Sequence, residues 1–117
     1  NARTDTYFQL EQPLAETVSR GQGYINSGAS GLFVPGLCEP DDIRAVAAAI
    51  DAPLNVISLP GQTDIAALAA LGVKRFSIGN ALSDAAIAFI ERQAHQLLER
   101  QNSAGLYDHG EINTVFK

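Results

Sequence analysis

The chain has 117 residues, 46% of them apolar and 18% charged, which is typical of one globular domain with a buried core. Its formal net charge of −5 argues against nucleic acid as a ligand, because binding to phosphate backbones needs a basic surface. No apolar run reaches the length of a membrane span, and the single cysteine, Cys38, excludes an intramolecular disulfide and favours a reducing cytoplasm.

Short runs of β-branched or aromatic residues predict four strands. In chain order the runs are NARTD (1–5), GLFVPG (31–36), PLNVISLPG (53–61) and VKRFSIGN (73–80). Gly36, Gly61 and Gly79 lie at or next to the ends of the last three runs, as is usual where a strand is released into a tight loop.

Helical patterns separate the predicted strands. The first covers about 13–27, and the second begins at the segment EPDD (39–42), where proline suits the first helical turn and carboxylates favour the positive end of the helix dipole. Its apolar face consists of Ile43, Val46, Ala47 and Ile50.

Two further helices are predicted towards the end of the chain. Thr63 is the predicted N-cap of the third, and Ser83 that of the fourth. The buried positions of the third are Ile65, Leu68 and Leu71, and the apolar stripe of the fourth is Ile87, Ile90, Ala94, Leu97 and Leu98.

A strand followed by a helix, repeated four times, predicts an α/β fold with parallel strands joined by crossovers. Two architectures fit: a small doubly wound sheet, or part of a barrel. A full (β/α)8 barrel needs ~250 residues and eight such units, so four units make about half of one. The doubly wound alternative is weakened because no Gly-rich phosphate loop follows the first strand.

Four motifs resemble, in order, the second half of the isocitrate lyase/phosphoenolpyruvate mutase superfamily, nearest to its phosphonomutase-like members. They are NARTD (1–5), SGASGLFVPGL (27–37), APLNVISLPG (52–61) and LGVKRFSIGNAL (71–82). The resemblance implies strands five to eight of a TIM-type barrel over residues 1–101, followed by a C-terminal tail at 102–117. Since the chain lacks methionine and opens at a strand end, we expect the natural start to lie upstream.

Arg3 and Asp5 are two residues apart in a predicted strand, so their side chains share one face. At the carboxyl end of a barrel strand an arginine can hold a carboxylate or phosphonate through paired hydrogen bonds, although an Arg3–Asp5 pair could equally close the strand end. The resemblance implies that Arg3 binds the acidic group of the substrate. Asp5 is then expected to support it by orienting the guanidinium or capping the loop.

Further candidates lie on later strands. Asn55 sits in an apolar strand and needs a partner, either a neighbouring strand or, as the resemblance suggests, the substrate. Gly36 and Gly79 complete the predicted substrate-binding set, and Ser77 is expected to support it. Where relatives that cleave tricarboxylates carry a glutamate and an arginine, this chain has Pro35 or Gly36 and Ser83, which implies a smaller acid.

The resemblance also implies Mg²⁺ bound by carboxylates from the third and fourth barrel strands, which are not among these motifs. No His or Cys pair here has metal-ligand spacing, and Cys38 is expected to pack near the second helix, with His95 and His109 outside any site. The predicted set therefore contains no catalytic residue and no metal ligand.

Two functions from different classes fit. The first is a piece of an Mg²⁺-dependent lyase or mutase that acts on a small 2-oxo, dicarboxylic or phosphono acid through an enolate-like intermediate, inactive on its own. The second is a non-catalytic half-barrel or a degenerate paralogue that acts as an assembly or small-anion-binding module. In either case an open sheet needs a partner, so we expect a missing first half or a second copy to cover it.

Overall fold

The computed structural model describes residues 1–110, and within them the predicted alternation of strands and helices is present. The strands are β1 (Ala2–Arg3), β2 (Leu32–Phe33), β3 (Leu54–Ile57) and β4 (Arg75–Ser77). The α-helices are α1 (Thr6–Gln9), α2 (Pro13–Asn26), α3 (Pro40–Ala49), α4 (Ile65–Ala70) and α5 (Ala81–Arg100), followed by a 3-10 turn at Ala104–Tyr107. They fall into two compact units that divide after Gly79.

The sheet of the first unit has the strand order β1-β2-β3-β4, and every neighbouring pair is parallel. A doubly wound sheet reverses its strand order at a switch point, whereas successive strands of a barrel follow the chain. The structure therefore confirms the barrel-type arrangement and excludes the doubly wound alternative for these strands.

The core lies on one face of this sheet. Leu32 and Val34 of the second strand segment, with Leu54 and Val56 of β3, are almost fully buried. The same cluster contains, from the helices and the loops between them, Leu37, Ile43, Val46, Ile50, Leu68 and Val73. Because strand side chains alternate between faces, the intervening residues lie on the opposite face. We call that side the open face; its members are Asn1, Arg3, Phe33, Asn55, Ile57, Arg75 and Ser77.

The beginnings of two helices differ from the sequence prediction by one to three residues. The N-cap of α4 is Asp64, not Thr63, because the Asp64 carboxylate reaches the Ala67 amide at 3.0 Å. The N-cap of α5 is Asn80, while Ser83 lies in the first turn and its hydroxyl donates back to the Asn80 carbonyl at 2.8 Å. The predicted EPDD start of α3 is confirmed, with proline in its first turn.

Some predicted burial is wrong. Ile65, expected inside, begins α4 and is 57% exposed, whereas Leu68 of the same helix is buried. Helix α1 was not predicted at all, since a helix of four residues is too short to show a hydrophobic period. Thr6, its first residue, is buried and its hydroxyl contacts that of Thr17.

The second unit consists of α5 and the 3-10 turn, as far as residue 110. Helix α5 carries the predicted apolar stripe, but Ile87, Ile90 and Leu98 are each more than 60% exposed. Gln101, in the left-handed region, ends the helix. The predicted boundary at 101/102 stays a prediction, and the apolar group Ile112, Val115 and Phe116 lies outside the described residues. No helix within 1–110 is long and apolar enough to cross a membrane.

Candidate substrate-anion site

Arg3 is held at the carboxyl end of β1 by two contacts. Its Nε donates to Oδ1 of Asp5 at 2.9 Å, and its guanidinium carbon lies 5.6 Å from the centre of the Phe33 ring on β2. The Arg3 side chain is 58% exposed, so the ion pair is worth only ~0–1 kcal/mol and acts mainly to orient the guanidinium. Among the side chains of residues 1–110, none bonds to its two terminal nitrogens, which can therefore receive an acid through two parallel hydrogen bonds.

Asn55 has a partner on the neighbouring strand. Its Nδ2 donates to Oγ of Ser77 at 3.0 Å, and the Ser77 hydroxyl donates to Oδ1 of Asn55 at 3.2 Å. Asn55 is 5% exposed, so this reciprocal pair supplies the partner that a buried amide requires. The pair engages one hydrogen of the Asn55 side-chain amide and leaves the second hydrogen for another acceptor. A substrate contact by Asn55 stays a prediction, and so does the supporting role of Ser77 in substrate binding, although Ser77 is hydrogen-bonded to Asn55.

Gly36 and Gly79 lie in the loops that follow β2 and β4. Both have positive φ angles, +85° and +54°, which glycine adopts at little cost. A Cβ added at Gly36 would lie 2.8 Å from the nearest carbon of the Phe8 ring, and one added at Gly79 would lie 3.1 Å from Cδ1 of Ile57. Each glycine thus combines a turn with a close approach, and substrate binding by their backbones remains a prediction.

One residue on the open face was missed by sequence reasoning. Nη1 of Arg75, on edge strand β4, donates to Oδ1 of Asn1, which precedes the other edge strand, at 2.8 Å. The Asn1 oxygen lies over Gly31, where a Cβ would be only 2.5 Å away. The signal available was the spacing of Arg75 and Ser77, two apart on one strand and therefore on one face.

The other polar candidates lie outside this site. Cys38 is exposed, not packed as predicted, and its thiol donates to Oε1 of Gln62 at 3.3 Å. Although the residue is exposed, partial desolvation of its sulfur, with the nearby charge of Glu39, raises the pKa of the Cys38 thiol, which makes it a weaker nucleophile. His95 lies 3.8 Å from Glu99 on α5, and His109 contacts the neighbouring Gly110 carbonyl.

The potential metal-ligating side chains of residues 1–110 do not converge on one point. Within residues 1–110, no group of three His, Cys, Asp or Glu side chains is placed to hold a metal ion. Asp5 is engaged by Arg3, and Asp42 accepts a hydrogen bond from Tyr7 at 2.8 Å. These described residues therefore do not form a metal site by themselves.

The chain belongs to the phosphoenolpyruvate phosphomutase family, whose sequence profile matches residues 1–98. This places it in the isocitrate lyase/phosphoenolpyruvate mutase superfamily, as its motifs indicated, and the sheet is part of the TIM-type barrel of that superfamily. It is a lyase- and phosphonomutase-like member.

Two solved structures from Burkholderia cenocepacia J2315 are similar to it. A provisionally assigned lyase/mutase shares 33% identity with a TM-score of 0.83, over 96% of this chain and 41% of that one. A provisionally assigned phosphonomutase shares 37% identity with a TM-score of 0.76, over 82% of this chain and 41% of that one.

Uncharacterized proteins of two Mycobacterium tuberculosis strains are 40% identical over 81 residues, which is 68% of this chain. The match covers 31% of their length, so the chain spans about a third of the curated relatives it matches. Across both comparisons, the similarity extends over less than half of each longer protein.

Proposed function

We propose that this chain supplies the anion-binding side of the active site in a lyase or phosphonomutase-like enzyme that acts on a small 2-oxo, dicarboxylic or phosphono acid. The observation that carries the proposal is the way in which the Arg3 guanidinium is held. Asp5 and Phe33 fix its guanidinium through Nε and through the ring face, while its two terminal nitrogens point to no acceptor in residues 1–110. Such an arrangement suits two-point binding of a carboxylate or phosphonate.

Cleavage or rearrangement of a C–C or P–C bond next to a carboxylate builds enolate charge on the reacting acid. A fixed guanidinium at the anionic end orients the acid and keeps its negative charge compensated without reorganisation of the site. In the proposal Arg3 has this role, and the second amide hydrogen of Asn55 offers a further bond. Pro35 or Gly36, and Ser83, stand where tricarboxylate-cleaving relatives would carry charged residues, which favours a small acid.

Magnesium is part of the proposal as the ion that stabilises the enolate-like charge in the intact enzyme. The described residues do not provide its ligands, so they are proposed to come from outside residues 1–110. We therefore assign no step of the reaction on this chain to the metal, only binding and orientation of the acid.

We also propose that another half of the barrel covers the open face, supplied by further polypeptide or by a second copy. Phe33 and Ile57 lie on that face and are only partly buried, and β1 and β4 are the edges of the four-stranded sheet. An unpaired strand edge is a template for association, and covering apolar side chains stabilises by about 25 cal/mol per Å².

A second candidate function is a non-catalytic half-barrel used in assembly or for binding a small anion. It is favoured by the reciprocal Asn55–Ser77 pair, since the buried amide already has a structural partner without any substrate. The two candidates differ in what they require of Asn55, because only the enzymatic one expects a ligand to engage its second amide hydrogen.

Titration of the ¹⁵N-labelled chain with pyruvate, oxalate or phosphonoacetate, at constant ionic strength, tests the proposal by NMR. We expect the Arg3 Nε–H, the Asn55 side-chain amide and the Gly36 and Gly79 backbone amides to shift together with one binding constant. Chloride at the same ionic strength should shift none of them. Shifts of Arg3 without Asn55 would favour the anion-binding module, and no saturable shift at Arg3 would refute the proposal.

A further inference from the structure

Phe8 is an exposed aromatic residue whose ring packs against a specific partner. It lies on α1 and is 63% exposed, whereas its neighbour Tyr7 turns inward and donates its hydroxyl to Asp42. Isolated exposed apolar side chains are common and need no explanation. The Phe8 ring, however, packs against Gly36: three of its carbons lie 2.8, 3.1 and 3.2 Å from the position of a Cβ there.

The Phe8–Gly36 contact involves the same two chain segments as the anion site. Helix α1 follows Asp5 directly, and the Phe8 amide donates to the Asp5 carbonyl at 2.9 Å. Gly36 follows Phe33, the residue whose ring contacts the Arg3 guanidinium, by three positions. The Arg3–Phe33 and Phe8–Gly36 contacts therefore join the same two segments, one after the other, beyond the ends of β1 and β2.

No side chain at position 36 could occupy the place of the Phe8 ring without a clash or backbone strain. Gly36 has φ +85°, a conformation that other residues adopt with strain, and any Cβ there would collide with the ring. The loop after β2 thus brings bare backbone up to the phenyl group, whose exposed side is a flat apolar surface that offers no hydrogen bond.

We propose that the Phe8 phenyl ring is an apolar wall of the anion site and limits it to acids with short carbon chains. This inference rests on the proposed function and deepens it by naming the residue that sets substrate length. An acid bound through Arg3 meets the ring with its far end. A further carboxylate there would meet an apolar ring without gaining a hydrogen-bond partner, and the ring would stand in the way of added methylenes.

The test measures dissociation constants of the 117-residue chain for glyoxylate, pyruvate, 2-oxobutyrate and 2-oxopentanoate, followed at the Arg3 Nε–H. In the wild-type chain affinity should fall as the acid lengthens. Phe8→Ala should reverse that trend, with about fourfold tighter binding for each added methylene that the enlarged pocket accepts. Phe8→Leu, which keeps an apolar side chain of smaller size, should be intermediate.

Ile65→Ala is the matched control, because Ile65 is an apolar residue of the same unit with similar exposure, 57%, on a different helix. It should keep the wild-type preference. If Phe8→Ala and Phe8→Leu bind pyruvate through Arg3 with the wild-type length preference, the wall is wrong while the proposed anion site stands. If no 2-oxo acid binds in an Arg3-dependent way, both ideas fail.

Discussion

Arg75 and Asn1 meet across the open face, with Nη1 of Arg75 2.8 Å from Oδ1 of Asn1, although they belong to opposite edges of the sheet. The bridge passes over Gly31, whose lack of a side chain makes room for the Asn1 oxygen. Since Asn1 is two residues before Arg3, this bond also fixes the strand that presents the anion-binding guanidinium.

Gly31→Ala should therefore destabilise the fold. The new methyl group would lie 2.5 Å from the Asn1 oxygen and 3.1 Å from the Pro53 carbonyl, so the bridge must open or the strands must separate. We expect a loss of about 1–3 kcal/mol in the free energy of unfolding, measured by urea denaturation. The loss should be smaller in an Asn1→Ala background, where one of the two clashes is absent.

Gly23→Ala is the control for this substitution. Gly23 lies inside α2 and nothing is within 4 Å of the added Cβ, so the change should stabilise by about 0.5–1 kcal/mol. Equal effects of the two alanines would show that the contact over Gly31 does not matter.

Ser77→Ala should leave the buried Asn55 amide without its partner. Because Asn55 is 5% exposed, we expect a cost of about 1–3 kcal/mol, again from urea denaturation. Ser19→Ala, an exposed serine on α2, should change stability by less than about 0.5 kcal/mol. If the double variant Asn55→Ala/Ser77→Ala loses as much stability as the sum of the two single losses, the pair is not coupled and its structural role is refuted.

Tyr7 should make stability fall in alkaline solution. Burial raises the pKa of the Tyr7 hydroxyl, and its hydrogen bond to Asp42 and the charge of that carboxylate raise it further. The neutral hydroxyl is thus favoured in the folded chain, and its contribution is present below about pH 10, the usual tyrosine pKa, and lost as pH rises towards the folded value.

Tyr7→Phe removes the bond that joins α1 to α3, and we expect a cost of about 1 kcal/mol at pH 7. Above about pH 10 the difference in stability between wild type and variant should shrink, as followed by denaturation at several pH values. Tyr24→Phe is the control, since the Tyr24 hydroxyl has no hydrogen bond among residues 1–110. A wild-type advantage that stays constant to pH 12 would contradict the prediction.

Much of the fold could be predicted because most of its helices are long enough to show a hydrophobic period in the sequence. Ile43, Val46 and Ile50 repeat over about two helical turns and are buried as expected. The alternation of strands and helices predicts parallel strands, but only the strand order β1-β2-β3-β4 in the sheet separates a barrel from a doubly wound sheet. Helix starts were predicted less well, since Thr63 and Asp64 are both good N-caps and only the actual bond to Ala67 decides between them.

The candidate site divides in the same way. Arg3 and Asp5 are only two residues apart, so the sequence could suggest that they pair, and the pair is present. Strand alternation is not its cause, because β1 ends at Arg3 and Asp5 is the N-cap of α1. The contacts of Asn55 with Ser77 and of Asn1 with Arg75 depend on strand register, which the sequence does not contain. The Phe8–Gly36 contact could not be foreseen either, because it is made by α1, a helix too short to predict.

The claim that Arg3 binds the anionic group of the acid is tested most directly by calorimetry, which measures the affinity of oxalate for two arginine variants. Arg3 and Arg44 have similar exposure, 58% and 60%, and each pairs with one aspartate, so Arg3→Ala and Arg44→Ala change net charge equally. We expect at least about tenfold weaker binding for Arg3→Ala, because a two-point charged contact is lost, and less than about twofold weaker binding for Arg44→Ala. Equal affinities of the two variants would contradict the claim.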